Sequence, residues 1–526
     1  MAPPMLPGGV ALQARNNCHP QWWKDPGLRQ LNIRIFGLMI SSMAFGFDAA
    51  LIGGLLGNQR WYMDLQVSGA TLTGVLIASN SMGVLFTVLP APLLSDRYGR
   101  RPTAIFFCLW QIAFSIGQAF VKTKWQFMAV RIFLGFGMIS LNISSNLLVA
   151  EISHPRQRAQ VTSLWITFFY VGAITVAWTA FGALSINSSW SWRLPIIIQA
   201  AWNIVQLPLL VFLCPESPRW MILKGRHEEG KKLLAKYHAN GDLHDELVEL
   251  EYEEIISNTT REQEKNGNSV LNLFRTKPNL YRLSLAVLLG LSSQWVGNAV
   301  VNFYLAPVLA SVGITSNRAQ NGINGGLQIW SWFMAVAASL SSERFGRRTL
   351  LIASACGMLV NMALVTACSA LYANSHNIAA GRAVIAFLFL FFGCYCIGFT
   401  PIPPLYVAEI STPATRPMLV SLYWMCTGLA LCFNQLVNPI ALAAIGWKYY
   451  LVYVAVLVVV IILFALFLPE TKGLTIEEID GIFDSNSRNA TIEAAERIRV
   501  KHEYEHDEGI EIEHQEAKLE HVEVKA

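Results

Sequence analysis

The sequence predicts an all-α polytopic membrane protein: twelve transmembrane helices forming two six-helix parallel repeats, with cytoplasmic helices between the halves. Three observations carry this. The 526 residues are 53% hydrophobic and only 14% charged, where soluble domains carry about 25% charged residues, and the mean hydropathy is +0.41. Twelve apolar runs approach the roughly 20 residues that a bilayer-crossing helix needs. Three short motifs of the first half return in the same order in the second. The net charge is only +4, and the bases sit in short clusters between apolar runs. That leaves no surface for nucleic acid and makes the lipid bilayer the surroundings of the chain.

The first six runs lie near 31–53, 70–92, 103–121, 127–149, 163–185 and 194–214. The next six lie near 281–305, 325–342, 349–371, 382–404, 417–439 and 447–468. Residues 1–30 lack the apolar core of a cleavable signal, so the first span serves as the insertion signal. Arg97, Arg100 and Arg101 follow span 2, Arg156 and Arg158 span 4, Arg344, Arg347 and Arg348 span 8, and Arg416 span 10. The opposite loops hold scattered bases such as Arg60 and Lys448, with Lys122 and Lys124 the densest pair. Basic residues stay on the cytoplasmic side, which puts both termini and the central stretch there. The domains are then a cytoplasmic segment 1–30, a bundle 31–214, a linker with helices 215–280, a second bundle 281–468 and an acidic tail 469–526. In the linker, GRHEEGKKLLAKYH alternates charge with leucine at helical spacing, as in a helix lying against the bundle. Eight of nine cysteines lie in apolar runs or at their ends and read as small core residues; Cys18, in a polar segment, is the candidate reactive thiol.

SDRYGRR at 95–101 returns as SERFGRR at 342–348, VAEIS at 149–153 as VAEIS at 407–411, and PESPRW at 215–220 as PETKGL at 469–474. The offsets are 247, 258 and 254 residues, and each pair follows the second, fourth and sixth span of its half. Parallel repeats of this kind bind substrate between them near the midplane. The motifs also place acids and bases at the cytoplasmic membrane edge. Asp96 with the Arg158 region, and Glu151 with Arg100 or Arg101, would form a charge latch, mirrored by Glu343, Glu409, Arg347 and Arg416. The latch would hold when the protein opens outward and part when it opens inward. Topology alone accounts for the arginines but not for the repeated glutamates.

Asp48, in FGFDAALIGG at 45–54, is an acid inside a span, at a cost of about 2.5–3.5 kcal/mol on insertion scales. It lies roughly 25 Å along span 1 at about 1.5 Å per residue. Span 4 runs the other way and carries Arg131 near its outer end, at similar depth. An ionisable residue in a span is a functional candidate by default. The plainer alternative is that Arg131 snorkels to the outer interface while Asp48 hydrogen-bonds locally.

Together, the DRYGRR and ERFGRR loops, the two Glu-to-Arg motifs, PESPRW and PETKG resemble the sugar porter family of the major facilitator superfamily, over about residues 31–480. SQWVGNAVVNFYL, INGGLQIWSW and FNQLVNPIALAAIGWKYY are most similar to fungal lactose permeases and cellodextrin transporters. The resemblance implies alternating access. It also implies that an Asp at the position of Asp48 marks proton-coupled members, with Arg131 as its partner; passive members usually carry a neutral residue there. Burial raises a carboxyl pKa and a nearby Arg lowers it, so protonating Asp48 would release Arg131. The sequence departs from hexose porters at Pro404, where they carry Trp, at Ser293 beside Gln294, where they carry paired Gln, and at Ile166 and Ser331. Those losses of bulk and polarity argue against tight monosaccharide binding and suit a larger disaccharide or no transport at all.

Sugars need amides and hydroxyls that donate and accept, plus aromatic faces for their C–H sides. Gln294, Asn298 and Asn302 recur every four residues on span 7 and so share a helical face. Gln328 and Trp330 gather on span 8 with Trp332, and Asn434 lies on span 11 with Asn438 one turn on. Buried amides can equally be interhelical glue, which suits Asn438 beside Pro439, and Trp330 stands between packing and stacking. Pro401 and Pro404, with Pro403, interrupt span 10 and mark a gate near Glu409; Gly53, Gly54 and Gly57 mark another on span 1. The reading is a proton-coupled sugar symporter importing a disaccharide or short oligosaccharide of lactose or cellobiose type. Its ligands would be sugar and proton, with no cofactor, no metal and no catalytic residue, and it would work as a plasma-membrane monomer. The alternatives are a sugar sensor or transceptor signalling through the cytoplasmic segments, and a passive monosaccharide porter. A quinate-like acid would call for more cations in the spans than Arg131. No nucleophile–base set points to an enzyme.

Overall fold

All twelve spans are helical in the computed structural model, which describes residues 16–19, 21–87, 90–264, 274, 276–341, 345–411, 415–472 and 482–483. Spans 1 to 6 are Pro26–Leu56, Ala70–Thr87 continued by Pro90–Tyr98, Arg100–Ala119, Lys124–Ile152, Pro155–Ala183, and Trp190–Pro208 with a π turn Leu209–Leu213. Span 7 is broken into Lys277–Trp295, Asn298–Phe303 and Leu305–Ser311. Spans 8 to 12 are Asn317–Ser341, Arg347–Ser375, Ile378–Gly398 with Ile402–Ile410, Arg416–Ile445 and Tyr450–Phe467. Among the described residues, ten segments are long and apolar enough to cross a membrane, with spans 11 and 12 running together as Met418–Phe467 and the amide-rich span 8 left out. Large apolar side chains such as Phe86, Phe212 and Leu466 are exposed on the bundle, as a hydrocarbon-facing surface requires.

The helices outrun their apolar windows because caps set their ends. Asp25 Oδ1 accepts from the Leu28 N–H at 2.9 Å, with Pro26 in the first turn. Thr123 and Gln126 form a capping box for span 4. His154 accepts from the Arg156 N–H ahead of span 5, where Pro155 opens the helix.

Glycines bring helix backbones into contact in the first half. A Cβ on Gly46 would lie 1.8 Å from the Phe169 carbonyl oxygen, and one on Gly172 would lie 1.8 Å from that of Met43. Spans 1 and 5 therefore lock reciprocally. Spans 2 and 4 do the same through Gly83 against Ile132 and Gly135 against Asn80, at 1.9 and 2.0 Å. Small residues permit such close approach, and any side chain would force the helices apart. The halves meet at Gly53 against the Asn302 carbonyl, Gly57 against Asn321, and Gly74 against Pro439. The span 1 glycines thus serve close packing at the outer end, and span 1 stays one continuous helix through Gly53 and Gly54.

The linker folds onto one end of the first bundle as Pro218–Leu223, His227–His238 and Glu246–Glu264. Asn16 donates to the His238 carbonyl at 2.9 Å, and Asn240 donates to Asp25 at 2.9 Å, which ties the N-terminal segment to the linker. Cys18 is not a surface thiol. It is buried, its Sγ donates to the His238 carbonyl at 3.0 Å, and burial, then the Asp25 carboxylate, push its pKa up to about 12. Of the eight other cysteines, five are buried; Cys356 is exposed, and Cys368 and Cys394 are half-buried. The acidic tail beyond 483 lies outside the described residues.

At the heart of this module, buried His238 Nδ1 meets Glu251 Oε2 at 2.6 Å while its Nε2 meets the Ile152 carbonyl at 3.1 Å. Burial disfavours the charged ring, but the Glu251 carboxylate, its hydrogen bond and the Ile152 carbonyl outweigh it, so the His238 pKa is raised. Burial likewise opposes ionised Glu251, yet His238 lowers its pKa. Neighbouring His154 stays neutral, held down to about 3 by burial and then by His238. The raised histidine contributes stability that is complete below its unfolded value of 6.5 and is lost as pH rises through the folded value. The lowered glutamate contributes above 4.5 and is lost as pH falls through its folded value. Purified protein should therefore lose thermal stability from pH 6.5 upward, and His238→Gln should flatten that slope in a thermal-shift series.

Candidate functional site

Asp48 and Arg131 are each 2% exposed, and Arg131 Nη1 stands 4.0 Å from Asp48 Oδ1. The sequence places this pair at one depth, and the structure brings the two side chains together. Their partners were not anticipated. Asn80 Nδ2 on span 2 donates to Asp48 Oδ2 at 2.5 Å, and Gln199 Nε2 on span 6 donates to Oδ1 at 2.8 Å. Four spans thus contribute one side chain each. The carboxylate is satisfied by amides, leaving the guanidinium beside it rather than bonded to it. Arg131 Nε and Nη1 have no hydrogen-bond partner among the described residues, and its cation lies 5.9 Å from the Phe127 ring centroid.

In the second half, the four-residue rhythm of span 7 does not make one continuous face. Val296 and Gly297 break the helix, with Gly297 at φ +99°, a conformation that costs other residues strain. Gln294 and Asn298 therefore sit on different segments. The break frees carbonyls that neighbouring spans fill: Asn434 Nδ2 donates to the Gln294 carbonyl at 2.6 Å, and the Tyr395 hydroxyl to that of Ser293 at 3.2 Å. Asn434 thereby braces the break. Asn298 is buried with its Oδ1 unpartnered. Gln328 Nε2 donates to Asn302 Oδ1 at 3.4 Å and to Asn324 Oδ1 at 3.3 Å, making an amide chain between spans 7 and 8. Trp330 does not join it: its Nε1 donates to the Phe389 carbonyl at 2.8 Å and its ring fills the space over Gly393, which resolves its role toward packing on span 10. Asn438 is glue, accepting from the Tyr449 and Tyr453 hydroxyls at 2.8 and 2.7 Å.

Span 10 breaks at Phe399–Pro401, and Pro404 lies in the first turn of the segment that carries Glu409. A tyrosine of the first half is seated at this break: the Tyr170 hydroxyl lies 3.1 Å from both Cys396 Sγ and Thr400 Oγ1.

The charges of the expected latch pair differently from the expectation. Arg100 binds Glu151 at 3.0 Å and Asp96 at 2.9 Å, and Arg347 binds Glu409 at 3.0 Å. Asp96 does not reach Arg158, because Arg100 is one helical turn away from it; Arg158 instead faces Glu251 of the linker at 3.7 Å. The Arg101 guanidinium donates to the carbonyls of Leu210 and Val211, which the π turn exposes. Arg416 donates to Ser411, and Glu343 lies outside the described residues. The organising acids are those of the third motif. Glu216 accepts from the N–H groups of Arg100 and Arg101, and Glu470 from those of Arg347 and Arg348. Each caps the helix that follows its Arg-rich loop. A Cβ on Gly99 or Gly346 would strike these carboxylates at 2.5 and 2.3 Å. The ion pairs Arg100–Glu151, Arg100–Asp96 and Arg347–Glu409 each lie within one half.

Two parallel six-helix halves that meet through buried amides, the first holding a buried ion pair, have the architecture of the major facilitator fold. The family model described as "Sugar (and other) transporter" matches residues 35–483, and the chain belongs to that family. Its relatives include the MFS-type transporter criB of Aspergillus cristatus, 28% identical over 88% of this chain and 97% of that protein. Hexose transporter 2 of Kluyveromyces lactis is 25% identical over 88% of this chain and 84% of that protein. Among solved structures, the proton:xylose symporter XylE bound to 6-bromo-6-deoxy-D-glucose superposes with a TM-score of 0.72 at 21% identity, covering 87% of this chain and 99% of that one. XylE from E. coli in an inward-open conformation gives a TM-score of 0.71 at 21% identity, covering 86% and 99%. The relatives are transporters, not enzymes.

The break in span 7 can be tested by substitution. A Cβ at Gly297 would meet Met362 Cε at 2.9 Å and Tyr453 Cγ at 3.2 Å, whereas Gly225, at φ +79°, has open space around it. Gly297→Ala should lower the thermal midpoint more than Gly225→Ala, which carries only the backbone cost of about 1–2 kcal/mol.

Proposed function

We propose that this chain is a proton-coupled sugar symporter importing a disaccharide or short oligosaccharide by alternating access. The observation that carries the reading is the buried Asp48–Arg131 pair at 4.0 Å: an ion pair at this depth is costly to build, and proton exchange gives it a use. Asp48 accepts a proton from outside, loses its hold on Arg131, and releases the proton inward when the halves rock. Gln294, Asn298, Asn302, Gln328 and Asn434 contribute amide groups around the span 7 break, Pro401 and Pro404 flex the inner end of span 10, and the cytoplasmic ion pairs keep each half rigid. One elementary charge crossing 100 mV supplies about 2.3 kcal/mol, and each tenfold of gradient costs about 1.4 kcal/mol. One proton then sustains sugar accumulation of a few tens-fold. Both termini face the cytoplasm, and the protein works as a monomer in the plasma membrane.

A proton symporter of matching fold supports the coupling. The hexose transporters among the relatives favour a second reading, a passive monosaccharide porter. Uptake of labelled lactose, cellobiose, maltose and glucose in a transport-null host, with and without a protonophore, separates the two. The symport reading requires accumulation above the outside concentration that the protonophore abolishes. Asp48→Asn should keep exchange of labelled for unlabelled sugar and lose uphill accumulation; if that variant still concentrates sugar like the parent, the coupling role is wrong.

A further inference from the structure

We propose that Asn80 is a positioning residue that reads the protonation of Asp48 and passes it to the second half; this rests on the symport reading. A carboxylate only accepts hydrogen bonds, and both Asp48 oxygens are occupied, Oδ2 by Asn80 Nδ2 at 2.5 Å and Oδ1 by Gln199 Nε2 at 2.8 Å. A proton arriving on Asp48 turns one oxygen into a donor that faces an NH2 group. That donor needs an acceptor, and two stand beside it. Asn80 Oδ1 and Gln199 Oε1 are both buried without a hydrogen-bond partner. A half turn of either amide exchanges its donor end for its acceptor end. Gly135 leaves room for that turn at Asn80, since a Cβ there would lie 2.5 Å from Asn80 Oδ1.

Asn80 is the amide with a route to the other half. The next residue, Ser81, donates through Oγ to Gln435 Oε1 on span 11 at 2.6 Å, and the Gln435 carbonyl accepts from the Tyr304 hydroxyl on span 7 at 2.8 Å. Gly74, further along span 2, lies against the Gln435 carbonyl, 3.1 Å from a Cβ placed on it. Gln199 packs within the first half. Of the elements around Asp48, span 4 presents Arg131, spans 2 and 6 present amides, and span 5 presents Phe169 and Gly172 against its helix. The amide that meets Asp48 thus adjoins the residue that makes the inter-half hydrogen bond, which places a change at Asn80 where the halves meet.

The test measures initial uptake against external pH, using whichever of lactose, cellobiose, maltose or glucose the parent accumulates, with surface abundance measured alongside. Asn80→Leu keeps the shape and removes the amide, Asn80→Ala removes both, and Asn80→Ser keeps a hydroxyl that donates or accepts by rotation. The hydrogen bond from Asn80 is made to the carboxylate, and an apolar side chain at position 80 removes it. The Leu and Ala variants should therefore move the pH midpoint of uptake upward by about one unit, while Ser stays near the parent. An unmoved midpoint in either apolar variant, an equal shift in Ser, or loss of both apolar variants from the membrane overturns the inference. Asp48→Asn run in parallel separates the failures: if it still concentrates sugar, the symport reading falls. If it does not while Asn80 leaves the midpoint unmoved, only the role of Asn80 falls.

Discussion

A carboxylate and a guanidinium buried 4.0 Å apart set the geometry of the first half. Neither charge survives in a low-dielectric interior without partners, and removing one partner leaves the other stranded. Four helices must therefore hold their side chains to within a hydrogen-bond length. Reciprocal glycine crossings between spans 1 and 5 and between spans 2 and 4 provide that precision by letting backbone touch backbone. The amides of Asn80 and Gln199 stabilise the ionised acid directly, so the cation is left unbonded at Nε and Nη1. The second half has a different character: a broken helix braced by Asn434 and Tyr395, and an amide chain through Gln328. The buried ion pair and the amide chain at the helix break are thus segregated between halves that touch at Ser81–Gln435 and around Tyr170.

The motif-bearing ends of the two halves repeat one device twice. An Arg–Glu pair, an acid capping the next helix and an arginine on exposed carbonyls recur as Arg100–Glu151, Glu216 and Arg101, then as Arg347–Glu409, Glu470 and Arg348. Each set ties helices within its own half. That makes each bundle a rigid body, which is what rocking about a shared site requires. The symmetry fails where the linker follows only the first half: Arg158 finds Glu251 there, while Arg416 donates to Ser411.

Much of this was legible in the sequence, for identifiable reasons. The spans could be read because bilayer crossing demands long apolar runs, and the repeat because its motifs are charged islands between them. Asp48 and Arg131 stood out as charges in apolar helices. Asn80 and Gln199 did not, since a lone amide in an apolar run looks like interhelical glue until its partner is seen. Glu216 and Glu470 were visible as repeated letters, but their partners are backbone N–H groups, which charge pairing cannot find. The face shared by Gln294 and Asn298 assumed an unbroken helix. Gly297 breaks it through a left-handed conformation that the letter alone does not declare. Cys18 seemed exposed because its segment is polar, and the linker that buries it is distant in sequence.

The central claim is that a single buried acid links sugar movement to charge movement. The most direct measurement is the steady-state ratio of inside to outside sugar while the membrane potential is set stepwise at equal pH on both sides. Coupling to one proton predicts a ratio rising tenfold for about every 60 mV of inside-negative potential. A ratio that stays at unity at every potential would contradict it.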